Sequence, residues 1–211
     1  MSTAWMQPLP LVAILRGLTP QEAPAIGAAL AEAGFHILEV PLNSPQPLQS
    51  IELLAKQLGD RCLIGAGTVL STTQVQDVNN AGGRLVVMPH ADVEVIAAAH
   101  ASGMVCTPGV ATPTEAFAAL RAGADALKLF PAEQLPSPVL KAWSSVLPAG
   151  TPLLPVGGIT PERMAAYRQA GAAGFGIGSA LYAPKTPADD VARRARAFID
   201  AWNRTNTDSP A

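Results

Sequence analysis

The chain has 211 residues, of which 49% are hydrophobic and 14% are charged, and its formal net charge is −2. This composition excludes a disordered chain, and the lack of a basic stripe argues against a nucleic-acid partner. No apolar run reaches the roughly 18 residues that a membrane-spanning helix needs, and residues 1–10 lack the features of a secretory signal. We therefore expect no membrane partner. Cys62 and Cys106 each lie in an apolar run, which predicts reduced core thiols in a cytoplasmic protein.

Eight short apolar runs recur along the chain, and each gap between them has room for one helix. In order, we expect strands at 11–15, 37–42, 62–67, 85–89, 104–108, 126–130, 153–156 and 174–178. Ala-rich amphipathic stretches at 20–33, 92–101 and 114–122 predict helices in several gaps. Helix starts are predicted at Thr19-Pro20, Ser71, Thr112-Pro113 and Thr160-Pro161. Left-handed C-caps are predicted at Gly34, Gly82, Gly103, Gly123 and Gly171.

Eight strands, each followed by a helix, predict a (β/α)8 barrel, the TIM-barrel architecture, in which buried parallel strands read as continuous apolar runs. An open doubly wound sheet has the same alternation and is the alternative. No linker or low-complexity segment divides the chain. We therefore predict one domain over residues 1–211, with a loose polar tail over residues 203–211.

One lysine interrupts an apolar strand. In Ala126-Leu-Lys-Leu-Phe-Pro131, strand alternation places Lys128 inside the barrel and both leucines against the helices. Burial lowers the pKa of a lysine, and a partly neutral amine in an apolar pocket attacks carbonyls to form a Schiff base. The alternative is a lysine that reaches water at a strand edge. The other three lysines lie in helix or loop contexts, which favours a functional Lys128.

A second charged residue, Glu39, lies in the apolar run His36-Ile-Leu-Glu-Val-Pro41 and shares an inward face with Ile37. An inward glutamate near an inward lysine is either a buried ion pair or a base beside a nucleophile. Because a buried pair adds little net stability compared with apolar packing, we favour the chemical role. Burial raises the pKa of a carboxyl group toward the range that is useful for moving protons.

Glycines cluster after the last two predicted strands, and loops at these positions form the usual phosphate site of the barrel fold. The candidate phosphate ligands are Gly157, Gly158, Gly178 and Ser179. A tight turn also needs glycine, which is the alternative for either cluster alone. Arg16 ends the first strand and is the nearest cation to this site around a closed barrel. We expect Arg16 to contact the phosphate and to be the only positive side chain near it. The alternative is that Arg16 is a solvated residue at the rim.

Three more strand-end residues are candidates for the walls of the pocket. Thr68 is placed to hold a carboxylate or carbonyl oxygen, although its Gly-Ala-Gly-Thr segment is also typical of a tight turn, and Pro89 and Phe130 are apolar. The three histidines share no metal-ligand spacing, and no Ser-His-Asp constellation stands out. We expect neither a metal nor another cofactor.

Together these residues resemble the class I aldolases of the 2-keto-3-deoxy-6-phosphogluconate (KDPG) family over residues 9–182. The motifs are Val12-Ala-Ile-Leu-Arg-Gly17, Glu39-Val-Pro-Leu-Asn-Ser-Pro45, Ile64-Gly-Ala-Gly-Thr-Val69, Leu127-Lys-Leu-Phe-Pro131, Val156-Gly-Gly-Ile-Thr160 and Gly178-Ser179. The resemblance implies a (β/α)8 barrel assembled as a homotrimer, with Lys128 as the Schiff-base lysine and Glu39 as the general acid/base. It also implies that Thr68 contacts the pyruvate part of the substrate and that Gly158, Gly178 and Ser179 hold its phosphate.

One position departs from the phosphogluconate pattern. Members of that branch resemble Glu-x-x-x-Arg on strand two, where the arginine binds substrate, but the fourth residue after Glu39 is Asn43. The run Pro41-Leu-Asn-Ser-Pro45 resembles the galactonate branch, in which Arg16 is expected to serve the substrate. The resemblance thus implies cleavage of 2-dehydro-3-deoxy-6-phosphogalactonate, a phosphorylated sugar acid, to pyruvate and D-glyceraldehyde 3-phosphate. The gluconate substrate differs only at C4 and is the alternative.

Two other functions remain open from the sequence. A phosphate-binding barrel that acts as an isomerase or epimerase needs a carboxylate or histidine pair and no imine lysine. A non-catalytic sugar-phosphate-binding protein needs neither Lys128 nor Glu39. The presence of both residues favours a carbon–carbon lyase.

Overall fold

The computed structural model describes residues 3–207, beginning with a short 3-10 helix at Ala4–Met6. The strands are β1 Leu11–Ile14, β2 Ile37–Pro41, β3 Leu63–Gly67, β4 Leu85–Val87, β5 Val105–Thr107, β6 Gly109–Val110, β7 Leu127–Leu129, β8 Leu153–Pro155 and β9 Phe175–Ile177. The helices are α1 Ala23–Ala33, α2 Pro47–Leu58, α3 Thr72–Asn80, α4 Val93–Ala101, α5 Pro113–Arg121, α6 Ser137–Ser144, α7 Pro161–Gln169 and α8 Ala188–Thr207. Strands and helices therefore alternate, as the sequence predicts, except that β6 follows β5 directly.

The strands form two parallel sheets. A curled six-stranded sheet has the order β5-β4-β3-β2-β1-β9, and a three-stranded sheet has the order β6-β7-β8. The strand order does not reverse between β1 and β5, and the last strand lies beside the first, so the doubly wound alternative is wrong. Where β8 meets β9, a parallel bridge links Val156 to Gly176, and the Ala173 N–H donates to the carbonyl of Leu153 at 3.0 Å.

The predicted fifth strand, 104–108, is divided at Pro108. β5 pairs with β4, whereas β6 pairs with β7, so the two halves belong to different sheets. Proline has no N–H to donate to a neighbouring strand, but its carbonyl still accepts a 2.9 Å hydrogen bond from the Lys128 N–H. The prediction of one continuous strand that ends at residue 108 is therefore wrong, because strand structure resumes and runs to Val110.

Side chains alternate along the strands between the helices and the inside of the curled sheet. On β1, Leu11 and Ala13 belong to the large core cluster shared with the helices, whereas Val12 belongs to a small inner cluster. Trp5 packs against that inner cluster, and Met6 belongs to a second one. The 3-10 helix thus covers the inside at the amino ends of the strands and leaves the carboxyl ends for polar residues.

Most predicted helix ends are confirmed. Ser71 and Thr112 accept capping hydrogen bonds, and all five predicted glycine C-caps have positive φ. The start predicted at Pro20 is wrong, since α1 begins at Ala23 after a turn in which Thr19 Oγ1 donates to the Glu22 carboxylate at 2.7 Å. The tail predicted to be loose from residue 203 is helical to Thr207, and residues 208–211 lie outside the described residues.

Within residues 3–207, no helix is both long and apolar enough to cross a membrane. The same residues contain no group of three or more His, Cys, Asp or Glu side chains that could hold a metal ion. Cys62 and Cys106 are free thiols, and both are buried.

Candidate active site

The carboxyl ends of the strands surround one narrow cavity. Most of its walls are apolar, at Val12, Ile14, Val87, Leu154, Val156 and Gly176. Glu39, Thr107 and Lys128 also line it, and all three are buried. The predicted lysine and glutamate therefore meet at one site, although they come from different sheets.

Lys128 lies on β7 with its side chain in the cavity, as strand alternation predicts. Leu127 and Leu129 are fully buried on the opposite face. The lysine is 8% exposed, and its Nζ lies 4.5 Å from the centroid of the Phe130 ring. Burial lowers the pKa of Lys128, while the Glu39 carboxylate acts against that shift. Burial thus moves the amine toward its neutral, nucleophilic form.

Glu39 lies on β2 and is only 2% exposed, and its Oε2 is buried without a hydrogen-bond partner. Loss of hydration raises the pKa of Glu39 to about 7, although the charges of Lys128 and Arg16 act in the opposite direction. The carboxyl group fits because residue 67 of β3 is glycine, as a Cβ on Gly67 would stand 2.5 Å from the Glu39 carboxyl carbon. The fold therefore makes room for a buried acid that titrates near neutral pH.

Lys128 and Glu39 do not form an ion pair. No salt bridge within 4.0 Å joins the two side chains. The amine and the carboxyl group thus face one cavity with a gap between them.

Arg16 follows β1 and is exposed at the mouth of the cavity. Its Nη1 donates a 2.8 Å hydrogen bond to Oδ1 of Asn43, which follows β2. A second link joins the same two loops, because the Gly17 N–H donates to Ser44 Oγ at 3.0 Å. Since β1 and β2 are hydrogen-bonded neighbours, the two loops meet above Glu39. Arg16 therefore points toward the Glu39 side of the mouth.

Thr68, Pro89 and Phe130 each follow a strand at the same rim. Thr68 is half-buried with φ 56°, a left-handed conformation that β-branched residues rarely adopt. Such backbone strain persists only where the surrounding structure holds it, and it clusters at functional sites. Pro89 is half-buried, and Phe130 is 36% exposed with its ring against the Lys128 amine.

The loops after β8 and β9 start side by side, because Val156 and Gly176 are bridged. Gly157 and Gly158 have φ values of 110° and 58°, which glycine adopts without strain. Gly178 and the exposed Ser179 follow β9, and a Cβ on Gly178 would meet no atom within 4 Å. The predicted phosphate residues thus lie on two neighbouring loops with open backbone.

Three residues at the site escaped the sequence analysis. Thr107 ends β5 and is 3% exposed; a polar residue in an apolar strand is the signal that identified Lys128. Arg163, in the first turn of α7, donates from Nη1 to the Gly158 carbonyl at 2.5 Å, and Glu133 borders the same loop. The expectation that Arg16 is the only cation near the phosphate loops is therefore wrong. The place of Arg163 just after a Gly-Gly loop is the signal that could have found it.

A larger cavity, of about 610 Å³, lies at the amino ends of the strands. Among its described lining residues, Arg168 is the only ionisable one, and its guanidinium carbon lies 3.9 Å from the ring centroid of Trp202. This cavity offers neither a carboxylate nor a nucleophilic amine. Chemistry rather than size therefore identifies the narrow cavity as the candidate active site.

Comparison with known proteins covers nearly the whole chain. A family model described as KDPG and KHG aldolase matches residues 3–196. The 2-dehydro-3-deoxy-6-phosphogalactonate aldolase of Escherichia coli strain K12 is 48% identical over 198 residues, which are 94% of this chain and 97% of that protein.

Solved structures are similar as well. The native KDPGal structure is 46% identical, with a TM-score of 0.95 over 96% of this chain and 98% of its own. KDPG aldolase from Legionella pneumophila, solved with pyruvate captured at low pH as a covalent carbinolamine intermediate, is 31% identical. Its TM-score is 0.78 over 90% of this chain and 93% of its own.

Proposed function

This chain belongs to the family of KDPG and KHG aldolases, and we propose that it cleaves 2-dehydro-3-deoxy-6-phosphogalactonate to pyruvate and D-glyceraldehyde 3-phosphate. The observation that carries the proposal is that Lys128 and Glu39 are buried, face one cavity and are not paired with each other. An amine of lowered pKa and a carboxyl group that titrates near neutrality are the two groups that Schiff-base chemistry needs.

In the proposed mechanism, Lys128 Nζ attacks the C2 ketone of the substrate. The C–N bond forms, the ketone oxygen gains a proton to give a carbinolamine, and loss of water gives the iminium. Glu39, directly or through water, moves these protons. It then accepts the C4 hydroxyl proton as the C3–C4 bond breaks, and the electron pair of that bond passes to the iminium to form an enamine. Protonation at C3 and hydrolysis release pyruvate and restore Lys128.

The remaining site residues bind the substrate in this proposal. Thr68 contacts the carboxylate of the pyruvate part, and Pro89 and Phe130 form apolar walls beside the imine. The phosphate is held by the four residues Gly157, Gly158, Gly178 and Ser179. Because the iminium withdraws electrons from the breaking bond, the reaction needs neither a metal nor another cofactor.

The preference for the galactonate substrate rests on two lines of support. The relative that is 48% identical bears the galactonate name, and Asn43 stands where the phosphogluconate branch is expected to place a substrate-binding arginine. Comparing kcat/KM for the two C4 epimers side by side tests this preference. A higher value for 2-dehydro-3-deoxy-6-phosphogluconate would assign the chain to that substrate.

We also propose that the two sheets close into one (β/α)8 barrel in a single domain. The bridge between Val156 and Gly176 and the short link across Pro108 connect the sheets at both of their meeting points. A closed ring accounts for a cavity with walls from both sheets. By family resemblance the enzyme is a cytoplasmic homotrimer, and sedimentation equilibrium would then give three times the mass of the chain.

Trapping of the imine tests the mechanism directly. Incubation with pyruvate followed by borohydride should add one pyruvyl group to Lys128, located by peptide mass spectrometry. Lys128→Ala should lose both labelling and turnover, whereas Lys141→Ala, an exposed lysine on α6, should retain both. Labelling at another lysine would refute the mechanism. An isomerase or epimerase would rearrange its substrate without a trapped adduct or free pyruvate.

A further inference from the structure

Two opposite charges flank the loop after β8. A Cβ on Gly158 would stand 2.7 Å from Arg163 Nη1 and 2.8 Å from Glu133 Oε1, so the guanidinium and the carboxylate approach the same point. They do not form a salt bridge within 4.0 Å, as judged over residues 3–207. Instead, Arg163 donates to the Gly158 carbonyl. Both side chains thus lie against the loop that is proposed to hold phosphate.

Hydrogen bonds link the two backbone segments that carry Arg163 and Glu133. Tyr167 of α7 donates its hydroxyl proton toward two carbonyls of the loop after β7, those of Ala132 at 2.7 Å and Leu135 at 3.2 Å. Glu133 lies between these two carbonyls in the chain, and Arg163 is one helical turn before Tyr167. The backbone positions of the two charged residues are therefore coupled; Glu133 is exposed and Arg163 is half-buried.

A phosphate on the Gly157-Gly158 loop would compete with the Gly158 carbonyl for the guanidinium of Arg163. The guanidinium has five donors in a planar fork that fits phosphate oxygens, and a charged acceptor is stronger than the neutral Gly158 carbonyl. Glu133 carries the same sign as the phosphate and would oppose it. The backbone amides and the Ser179 hydroxyl supply hydrogen bonds but no positive charge.

On this basis we infer that Arg163 is the residue that gives the enzyme its preference for phosphorylated substrates, and that Glu133 weakens that preference. In the free enzyme Arg163 rests on the Gly158 carbonyl. When substrate binds, it turns to the phosphate held by the loops after β8 and β9. This assignment rests on the proposed function, because it takes the phosphate end of that substrate to lie on these loops.

Two variants and one control test the inference. Arg163→Ala should lower kcat/KM for the phosphorylated keto-deoxy sugar acid by roughly 10- to 150-fold, the usual weight of a hydrogen bond to a charged group. It should leave the value for the unphosphorylated acid unchanged and should weaken competitive inhibition by inorganic phosphate. Glu133→Gln should act in the opposite direction on both readouts. Arg121→Ala removes the same charge from the far end of α5 and should change neither.

The outcomes separate this inference from the proposed function. Equal losses on both substrates, or no loss on either, would overturn the role of Arg163. If Arg163→Ala does not fold, as judged by circular dichroism, Arg163→Lys provides the same test, because it keeps the charge but loses the fork and should lose part of the preference. Borohydride trapping with pyruvate, which has no phosphate, should be normal in every variant. Failure of trapping in the wild type would instead refute the proposed function.

Discussion

Replacing Glu39 with glutamine should stabilise the protein at neutral and alkaline pH, although it removes the proposed acid/base. The carboxyl group is 2% exposed, and its Oε2 has no hydrogen-bond partner. Ionisation in this position loses hydration that the charges of Lys128 and Arg16 offset only in part. Glutamine has nearly the same shape but never ionises, so the variant avoids that unfavourable step.

The size and sign of the effect follow from the pKa of Glu39. Burial raises it from 4.5 to about 7. Between these two pH values, the folded state keeps a proton that the unfolded state has released, so the free energy of unfolding falls as the pH rises. At about 1.4 kcal/mol per pKa unit, the wild type loses roughly 3 kcal/mol across this window. Residue 39 of the variant does not ionise, so it contributes no such loss to the free energy of unfolding.

Urea unfolding of wild type and Glu39→Gln over a pH range from about 5 to about 8 measures the difference. We expect the two free energies of unfolding to diverge as the pH rises, with the variant more stable. Glu115→Gln is the control, because the Ala111 N–H lowers the pKa of Glu115. That variant should be less stable than wild type by a nearly constant amount over this range, because Glu115 is ionised in both the folded and the unfolded state above its ordinary pKa of 4.5. Parallel curves for wild type and Glu39→Gln would refute the argument, since they would mean that Glu39 ionises equally easily in both states.

Four further results are expected. The kcat/KM of the wild type should rise with pH through about 7 as Glu39 ionises, and Glu39→Gln should lose this limb together with roughly 10²- to 10⁴-fold of the rate; a variant with the wild-type profile would make Glu39 a structural residue. Gly67→Ala should lower the free energy of unfolding by about 1–3 kcal/mol and reduce kcat, because its Cβ overlaps the Glu39 carboxyl group; unchanged urea unfolding would contradict this. Arg16→Ala should lower kcat/KM equally for phosphorylated and unphosphorylated substrates, because its hydrogen bond to Asn43 holds it on the Glu39 side of the mouth; a loss confined to phosphorylated substrates would return Arg16 to the phosphate end. Dialysis against a chelator should leave turnover unchanged, and strict dependence on added Mg²⁺ or Zn²⁺ would point to a metal-dependent mechanism instead.

The placement of Lys128 and Glu39 could be predicted because it depends on short-range rules. In a strand with buried faces, a shift of one residue exchanges all inward and outward side chains. The apolar neighbours of Lys128 and Glu39 therefore determine which way each of them points. The same reasoning extends to Thr107, whose polar side chain interrupts an apolar run in the same way.

Other features depend on contacts that spacing does not reveal. Proline at 108 suggested the end of a strand, but the chain continues into β6 because Gly109 and Val110 find a new partner in β7. The polar residues after Trp202 suggested a loose tail. The chain remains helical to Thr207, because Ala201 and Trp202 anchor the preceding turn in the core while Asn203 and Arg204 are exposed.

Side-chain direction in loops was the least predictable feature, and the role proposed for each arginine depends on it. Sequence order placed Arg16 beside the phosphate loops, since β1 and β9 are neighbours. The hydrogen bond to Asn43 draws the guanidinium toward β2 instead. Asn43 thus stands where the phosphogluconate branch is expected to have an arginine, and its side chain also orients Arg16.

The gap between Lys128 and Glu39 is itself a functional property. Burial acts on the two groups in opposite directions, raising the pKa of Glu39 to about 7 and lowering the pKa of Lys128. Direct contact would reverse both shifts, because each charge would stabilise the other, and a permanently protonated lysine is no nucleophile. Glu39 lies on β2 and Lys128 on β7, and these strands belong to different sheets. The two side chains therefore share one cavity without forming an ion pair. The fold thereby raises the pKa of the acid and lowers the pKa of the amine within one cavity.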